Sequence, residues 1–237
     1  MRYFILLHFS WCSLAAVDYA DYAGLLQRYA KESGVDYDGW YANKADLALL
    51  DAVMVNLAGV DLGDLSKPEQ KAFYINLYNA GMLQVVFQHY PLESVTEIGE
   101  QPFDVFKQLF IRQGRGMLSL DDVEKGILLK DYFDPRIHFA VNCASESCPP
   151  LRAEPFVADR LEAQLEEQTR LFAASDRAAR VDPETKTVRY SELLNWYAAD
   201  FGVPNPGSYL NRYREQVLPL DYTVAWIPYD WALNAEK

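Results

Sequence analysis

Cysteine and histidine are scarce in this 237-residue chain, with three of each. Positive charge is also short: 22 Lys and Arg face 34 Asp and Glu, for a formal charge of −12, and no basic run interrupts that balance. A phosphate backbone needs a cationic footprint, so nucleic acid is excluded as an expected partner. Beyond the first sixteen residues no apolar run is long enough for a membrane span. Glycine-rich phosphate loops, nucleotide fingerprints and a G-x-S-x-G nucleophile turn are missing, so no cofactor is expected. No internal repeat or low-complexity tract divides the chain.

What is present is a globular composition. Half the residues are hydrophobic, 14% are aromatic, and tyrosine reaches 16. Such rings pack on a core while keeping a polar tip, and they suit clefts that hold ligands. Residues 1–16 carry Arg2, an apolar stretch from Tyr3 to Leu14, and small residues at Ser13 and Ala15. This pattern predicts a cleaved secretory signal, and hence a periplasmic or secreted protein. Residues 17–237 are expected to form one globular domain.

The chemistry concentrates in one stretch. His138 lies five residues before Cys143, and Cys148 follows in NCASESCPPL from Asn142 to Leu151. A thiol becomes a strong nucleophile when a neighbour lowers its pKa or takes its proton, and an imidazole does both. In an oxidising compartment the two cysteines could instead pair. So small a loop gains roughly 2 kcal/mol or less from closure, which makes stability a weak reason for the bridge. The spacing of His138, Cys143 and Cys148 matches no usual zinc pattern, and a structural site would need a fourth ligand such as His89 or Glu124; no metal is expected.

Helical periodicity places Tyr22, Leu25, Leu26 and Tyr29 on one face, and Leu47, Leu50, Val53 and Leu57 on another. Ser66-Lys67-Pro68-Glu69 supplies a capping box and an early proline for a helix reaching about Gln88. Its interior from Phe73 to Ala80 is apolar nearly all round, which predicts a buried central helix. Asn76 and Asn79 share a face of it. A buried amide needs partners, so each either ties down a neighbouring loop or faces a ligand or reacting carbonyl.

Phe103 to Phe110 reads as a short helix, and Gly114-Arg115-Gly116 as a turn. Ser119 caps a helix running to about Lys130, on which Glu124 falls inside the apolar arc of Leu120, Val123, Ile127 and Leu128. That carboxylate either reaches water at the edge of the arc or pairs with an imidazole, His138 being close in sequence. Arg136 to Val141 reads as a β-strand, residues 154–174 as a long helix, and 179–190 as a hairpin. Ser191 caps a helix to Phe201, a short one spans about 207–216, and Thr223 to Tyr229 is extended. The fold class is α+β: one mainly helical domain around a small, mostly antiparallel sheet, with a papain-like arrangement as the form the catalytic reading would take.

The chain also resembles the domain of unknown function 547 family. The matching blocks are Gly34 to Tyr37, Ala72 to Ala80, His89-Tyr90-Pro91, Leu118 to Glu124, Asp134 to Ala140 running into Asn142–Leu151, and Tyr229 to Asn234. Members are similar in being extracytoplasmic bacterial proteins, and plants attach the module to other domains. Members often carry a histidine after the glutamate matching Glu124. Here Lys125 stands there, so any imidazole chemistry falls to His138.

Two functions fit these residues. The first is a thiol-dependent acyl transferase or hydrolase acting on an amide or thioester, with Cys143 as nucleophile, His138 as base and Glu124 orienting the imidazole. Asn79 or Asn76 would then donate to the oxyanion. Cys148 is the alternative nucleophile. The second is a binding module for a small peptide or thiol-containing ligand, lined by tyrosines including Tyr78 and closed by Asn76, Asn79, His138 and Asp230. In that case Cys143 and Cys148 would be disulfide-bonded or would form mixed disulfides with the ligand.

Overall fold

A computed structural model describes residues 17–237. The predicted signal at residues 1–16 lies outside the described residues. Four helices open the chain: α1 (Ala20–Tyr29), α2 (Tyr37–Ala42), α3 (Lys44–Ala58) and α4 (Lys67–His89). Helix α4 begins where the capping box predicts, the Ser66 amide donating to Glu69 Oε2 at 2.7 Å. Its residues from Ala72 to Leu83 are all buried, as an all-round apolar pattern requires. The predicted faces of α1 and α3 pack in the same core, through Tyr22, Leu25, Leu26, Leu50 and Val53.

The middle of the chain departs most from expectation. Residues 103–110 form only one 3-10 turn, Asp104–Phe106. The Gly114 turn joins two three-residue strands, β1 (Ile111–Gln113) and β2 (Gly116–Leu118), in an antiparallel hairpin. Ser119 caps the next helix through its bonds with Asp122. Asp122–Leu128 is a π-helix, with α5 (Leu129–Asp131) as its last turn. The predicted strand at 136–141 is instead a 3-10 helix, Pro135–Phe139. Asp134 accepts from the Arg136 amide and is gripped by its guanidinium, which holds the turn open to helical rather than extended backbone. The predicted long helix starts late, as α6 (Leu161–Ala174). Local propensity loses in the segment before it, where Asn76 holds the Phe156 backbone away from a helix.

The C-terminal part contains the sheet. Strands β3 (Ala179–Asp182) and β4 (Thr187–Ser191) form the predicted antiparallel hairpin, and β5 (Thr223–Ile227) runs parallel to β4 with Val188 opposite Val224. The helix expected from Ser191 to Phe201 breaks at Tyr197 into α7 (Leu193–Trp196) and α8 (Ala198–Phe201). The next is a short α9 (Pro206–Leu210). The α+β class stands, with two of three strand pairings antiparallel.

Two hydrophobic cores result. The first gathers the helices around α4, and the second gathers Phe139, Phe172, Val188, Tyr190, Phe201 and Tyr209. The 3-10 turn at 135–139 straddles them: Ile137 packs in the first core and Phe139 in the second. His138 stands between the two. Among the described residues no helix is long and apolar enough to cross a membrane.

Candidate thiol site

A cavity of about 350 Å³ opens where the two cores meet. That volume sits at the lower end of the range for small-molecule sites. Tyr78, Glu124, His138, Cys143 and Cys148 all line it, as do Trp196, Tyr197, Tyr229 and Trp231 from the C-terminal half.

The loop carrying the cysteines is fastened from below. Asn79 donates to the Ala140 carbonyl at 3.0 Å and accepts from the Asn142 amide at 2.8 Å. Asn142 in turn donates to the Pro149 carbonyl and accepts from the Ala144 amide. The C-terminal tail adds further ties: Asn234 N–H reaches the Ala144 carbonyl, and Glu146 N–H reaches the Ala232 carbonyl at 2.7 Å. Within this frame Ala144 takes φ +57°, a left-handed conformation that an alanine holds only when its surroundings impose it. The bend turns the chain just after Cys143.

Cys143 is partly exposed and Cys148 buried, and both are free thiols. The Cys143 Sγ lies 3.0 Å from Ser145 Oγ and 3.2 Å from Tyr229 OH, which are themselves 3.0 Å apart. The Cys143 amide donates to Cys148 Sγ at 3.0 Å. Burial opposes the Cys143 thiolate, but hydrogen bonds from Cys148, Ser145 and Tyr229 outweigh it and lower the thiol below its ordinary value. Burial, with the neighbouring Cys143 charge, pushes Cys148 well up. Burial also raises Tyr229, which therefore stays a phenol and a donor at neutral pH. Cys143 is thus the sulfur that ionises more readily, and Cys148 the one that keeps its proton.

The expected row from Cys143 through His138 to Glu124 is not hydrogen-bonded. His138 Nε2 meets Asp200 Oδ2 at 2.8 Å, and among the described residues Nδ1 has no partner. Burial lowers the imidazole pKa, with Asp200 working against it. The neutral ring therefore donates Nε2–H to the carboxylate and keeps a lone pair on Nδ1. Glu124 is buried as its place in the apolar arc predicts, but its partner is Tyr197 OH at 3.2 Å. Burial raises its pKa, only partly offset by Lys125 and Tyr197. The Tyr197 ring lies 4.0 Å from that of His138. Tyr197 therefore separates the two groups expected to pair.

Asn76 and Asn79 take the loop-tying role among their two alternatives. Asn76 clamps both backbone groups of Phe156, and neither amide lines the cavity. Asp230 lies outside it as well, accepting from the Ala232 amide in the tail while its own amide donates to Ser147 Oγ. Asp200, Ser145, Tyr197 and Tyr229 carry the geometry without having been singled out from sequence. Cys143 and Tyr229 are 86 residues apart, a separation no local pattern encodes. Only Ser145, two residues from Cys143, sat within reach of a motif argument. Among the described residues no three His, Cys, Asp or Glu side chains gather as metal ligands.

Fold and site together define an α+β protein with a dithiol cavity between two cores. Residues 62–173 match the family described as protein of unknown function, DUF547. The matched segment holds Glu124, His138 and both cysteines, while Asp200 and Tyr229 come from beyond it. No curated protein and no solved structure matched the chain, so the papain-like comparison has no known fold behind it.

Proposed function

We propose that the protein is a thiol-dependent acyl transferase or hydrolase, exported to the periplasm or beyond, with Cys143 as its nucleophile. The observation that carries this reading is the placement of Cys143 Sγ in the cavity against the Ser145 and Tyr229 hydroxyls, a hydrogen bond from either of which favours the thiolate. The thiolate would attack the carbonyl carbon of a peptide-like amide or a thioester. The carbon–sulfur bond forms as the carbon–nitrogen or carbon–sulfur bond of the substrate breaks. His138, held by Asp200 rather than Glu124, offers Nδ1 to take a proton and return it to the leaving group. Tyr229 OH replaces Asn79 as the side-chain donor nearest the reacting atoms. Trp196 and Trp231 supply apolar walls for the acyl or peptide portion.

The test is acylation by a chromogenic thioester, read by intact mass and by release of the leaving thiol. An adduct on Cys143 that turns over, and is missing in Cys143→Ala, is the expected result. A protein that binds the thioester without forming an adduct would overturn it. The binding-module reading keeps one favouring observation: His138 and Cys143 share the cavity without a direct bond. That outcome would leave the cavity as a peptide or thiol binding site.

A further inference from the structure

The second sulfur takes no part in the acyl-transfer step, yet it is bonded into the same loop as Cys143. Cys148 is buried where Cys143 is partly exposed, and the loop between them folds back through the Ala144 bend and a bond from the Cys148 amide to the Ser145 carbonyl at 3.0 Å. The Cys143 amide points at Cys148 Sγ. An N–H so placed stabilises negative charge on that sulfur at the moment it gives up its proton. Both sulfurs line the cavity, and Cys143 is the more exposed of the two.

We infer that Cys143 and Cys148 form a reactive dithiol that reduces small organic disulfides admitted to the cavity, Cys143 attacking and Cys148 resolving. This inference rests on Cys143 being the cavity's nucleophile. In the first step the Cys143 thiolate attacks one sulfur of R–S–S–R, a new S–S bond forms, and R–S⁻ leaves. In the second, Cys148 releases its proton to that thiolate or to water and attacks the Cys143 sulfur, expelling the second R–S⁻, which takes a proton from solvent. Two electrons pass from the protein sulfurs to the substrate disulfide, with one proton supplied by Cys148 and the other by the solvent that took up the Cys143 proton when that thiol ionised. The products are two small thiols and a Cys143–Cys148 disulfide. The bridge closes a short loop, so its formation gains little chain entropy, and it suits exchange better than structural use. The lowered Cys143 and raised Cys148 fit an attacking thiolate and a resolving thiol respectively.

The experiment uses the full chain carrying Cys12→Ser as its reference protein (the wild type below), so that Cys143 and Cys148 are its only cysteines, reduced and freed of reductant, with 5,5′-dithiobis(2-nitrobenzoate) as probe. The wild type is expected to release about two equivalents of thionitrobenzoate per chain and to end about 2 Da lighter, with no adduct. Cys148→Ser is expected to release about one equivalent and to retain the aryl mixed disulfide on Cys143. A wild type that retains one or two aryl adducts would overturn the resolving role. If Cys143 is also rapidly alkylated by iodoacetamide in that same preparation, its reading as nucleophile survives that failure. If Cys143 reacts with neither reagent, both fall together. Mass analysis of the wild type decides the matter even if Cys148→Ser fails to fold.

Discussion

The loop from Ala140 to Pro149 has two faces that solve opposite problems. Its underside, against α4 and the C-terminal tail, is a set of buried amides each with fixed partners: Asn79, Asn142 and Asn234. Its upper side is a sulfur, a serine and a phenol whose hydrogen atoms can be shared in more than one way. The first face leaves little freedom, and the second keeps a proton in play. Holding one face still is what allows the other to keep a thiolate and a strained bend in place, since preorganised donors need no rearrangement when charge develops.

The largest effect should come from breaking the underside. Asn79→Ala would orphan the Ala140 carbonyl and the Asn142 amide, both buried. Loss of these two bonds should cost about 2–4 kcal/mol, measured by denaturant unfolding. Iodoacetamide reactivity of Cys143 at pH 6 should fall in the surviving folded protein as well, because the thiolate's donors lose their register. If stability dropped while the reactivity stayed at wild-type level, the two faces would not be coupled as described.

The next effect is smaller and confined to the upper face. Tyr229→Phe removes one donor to Cys143 and should slow its alkylation at pH 6 roughly threefold to tenfold, with an unfolding change under about 1 kcal/mol. The alkylation rate should titrate with a midpoint below the ~8.5 of a free thiol in the wild type, and the midpoint should rise in the variant. A wild-type midpoint at or above the free value would remove the thiolate from the description.

This contrast also explains what was readable in the chain. Helix α4 was legible because capping box, proline and apolar run all agree locally, and its two asparagines announced a need for partners. The identity of those partners was not legible, since Phe156 lies 80 residues from Asn76. The 3-10 turn at 135–139 was misread as a strand because its β-branched and aromatic residues are buried in two different cores, which mimics strand hydrophobicity without its backbone. Glu124 was placed correctly in the buried arc, but its pairing was assigned by sequence nearness to His138. Tyr197 and Asp200, brought in by the break between α7 and α8, took those two bonds instead.

Asp200→Asn tests the imidazole's orientation. Burial lowers the His138 pKa and Asp200 opposes that, so losing the carboxylate should lower it further. The unfolded chain binds a proton near the ordinary value of ~6.5 while the folded site resists it, so stability falls as pH drops below that point. The variant should extend this loss to lower pH, visible as a steeper decline in unfolding free energy between about pH 6.5 and 5. The His138 ring signals in NMR should titrate correspondingly lower. An unchanged titration would mean that the 2.8 Å contact with Asp200 does not set the ring's protonation.

The smallest effect concerns Glu124, and its sign runs the other way. Burial raises its folded pKa, so between its ordinary value and the raised one the folded chain holds a proton that the unfolded chain has released. Stability therefore declines as pH rises through that window, and the whole penalty is present above it. Glu124→Gln keeps a group able to bond Tyr197 but removes the charge. The variant should match the wild type near pH 4 and be modestly more stable at pH 8. Should Cys143 alkylation also stay unchanged, Glu124 belongs to the wall of the cavity and Asp200 alone orients the imidazole. A variant less stable at pH 8 would instead place a counter-charge on Glu124 strong enough to outweigh its burial.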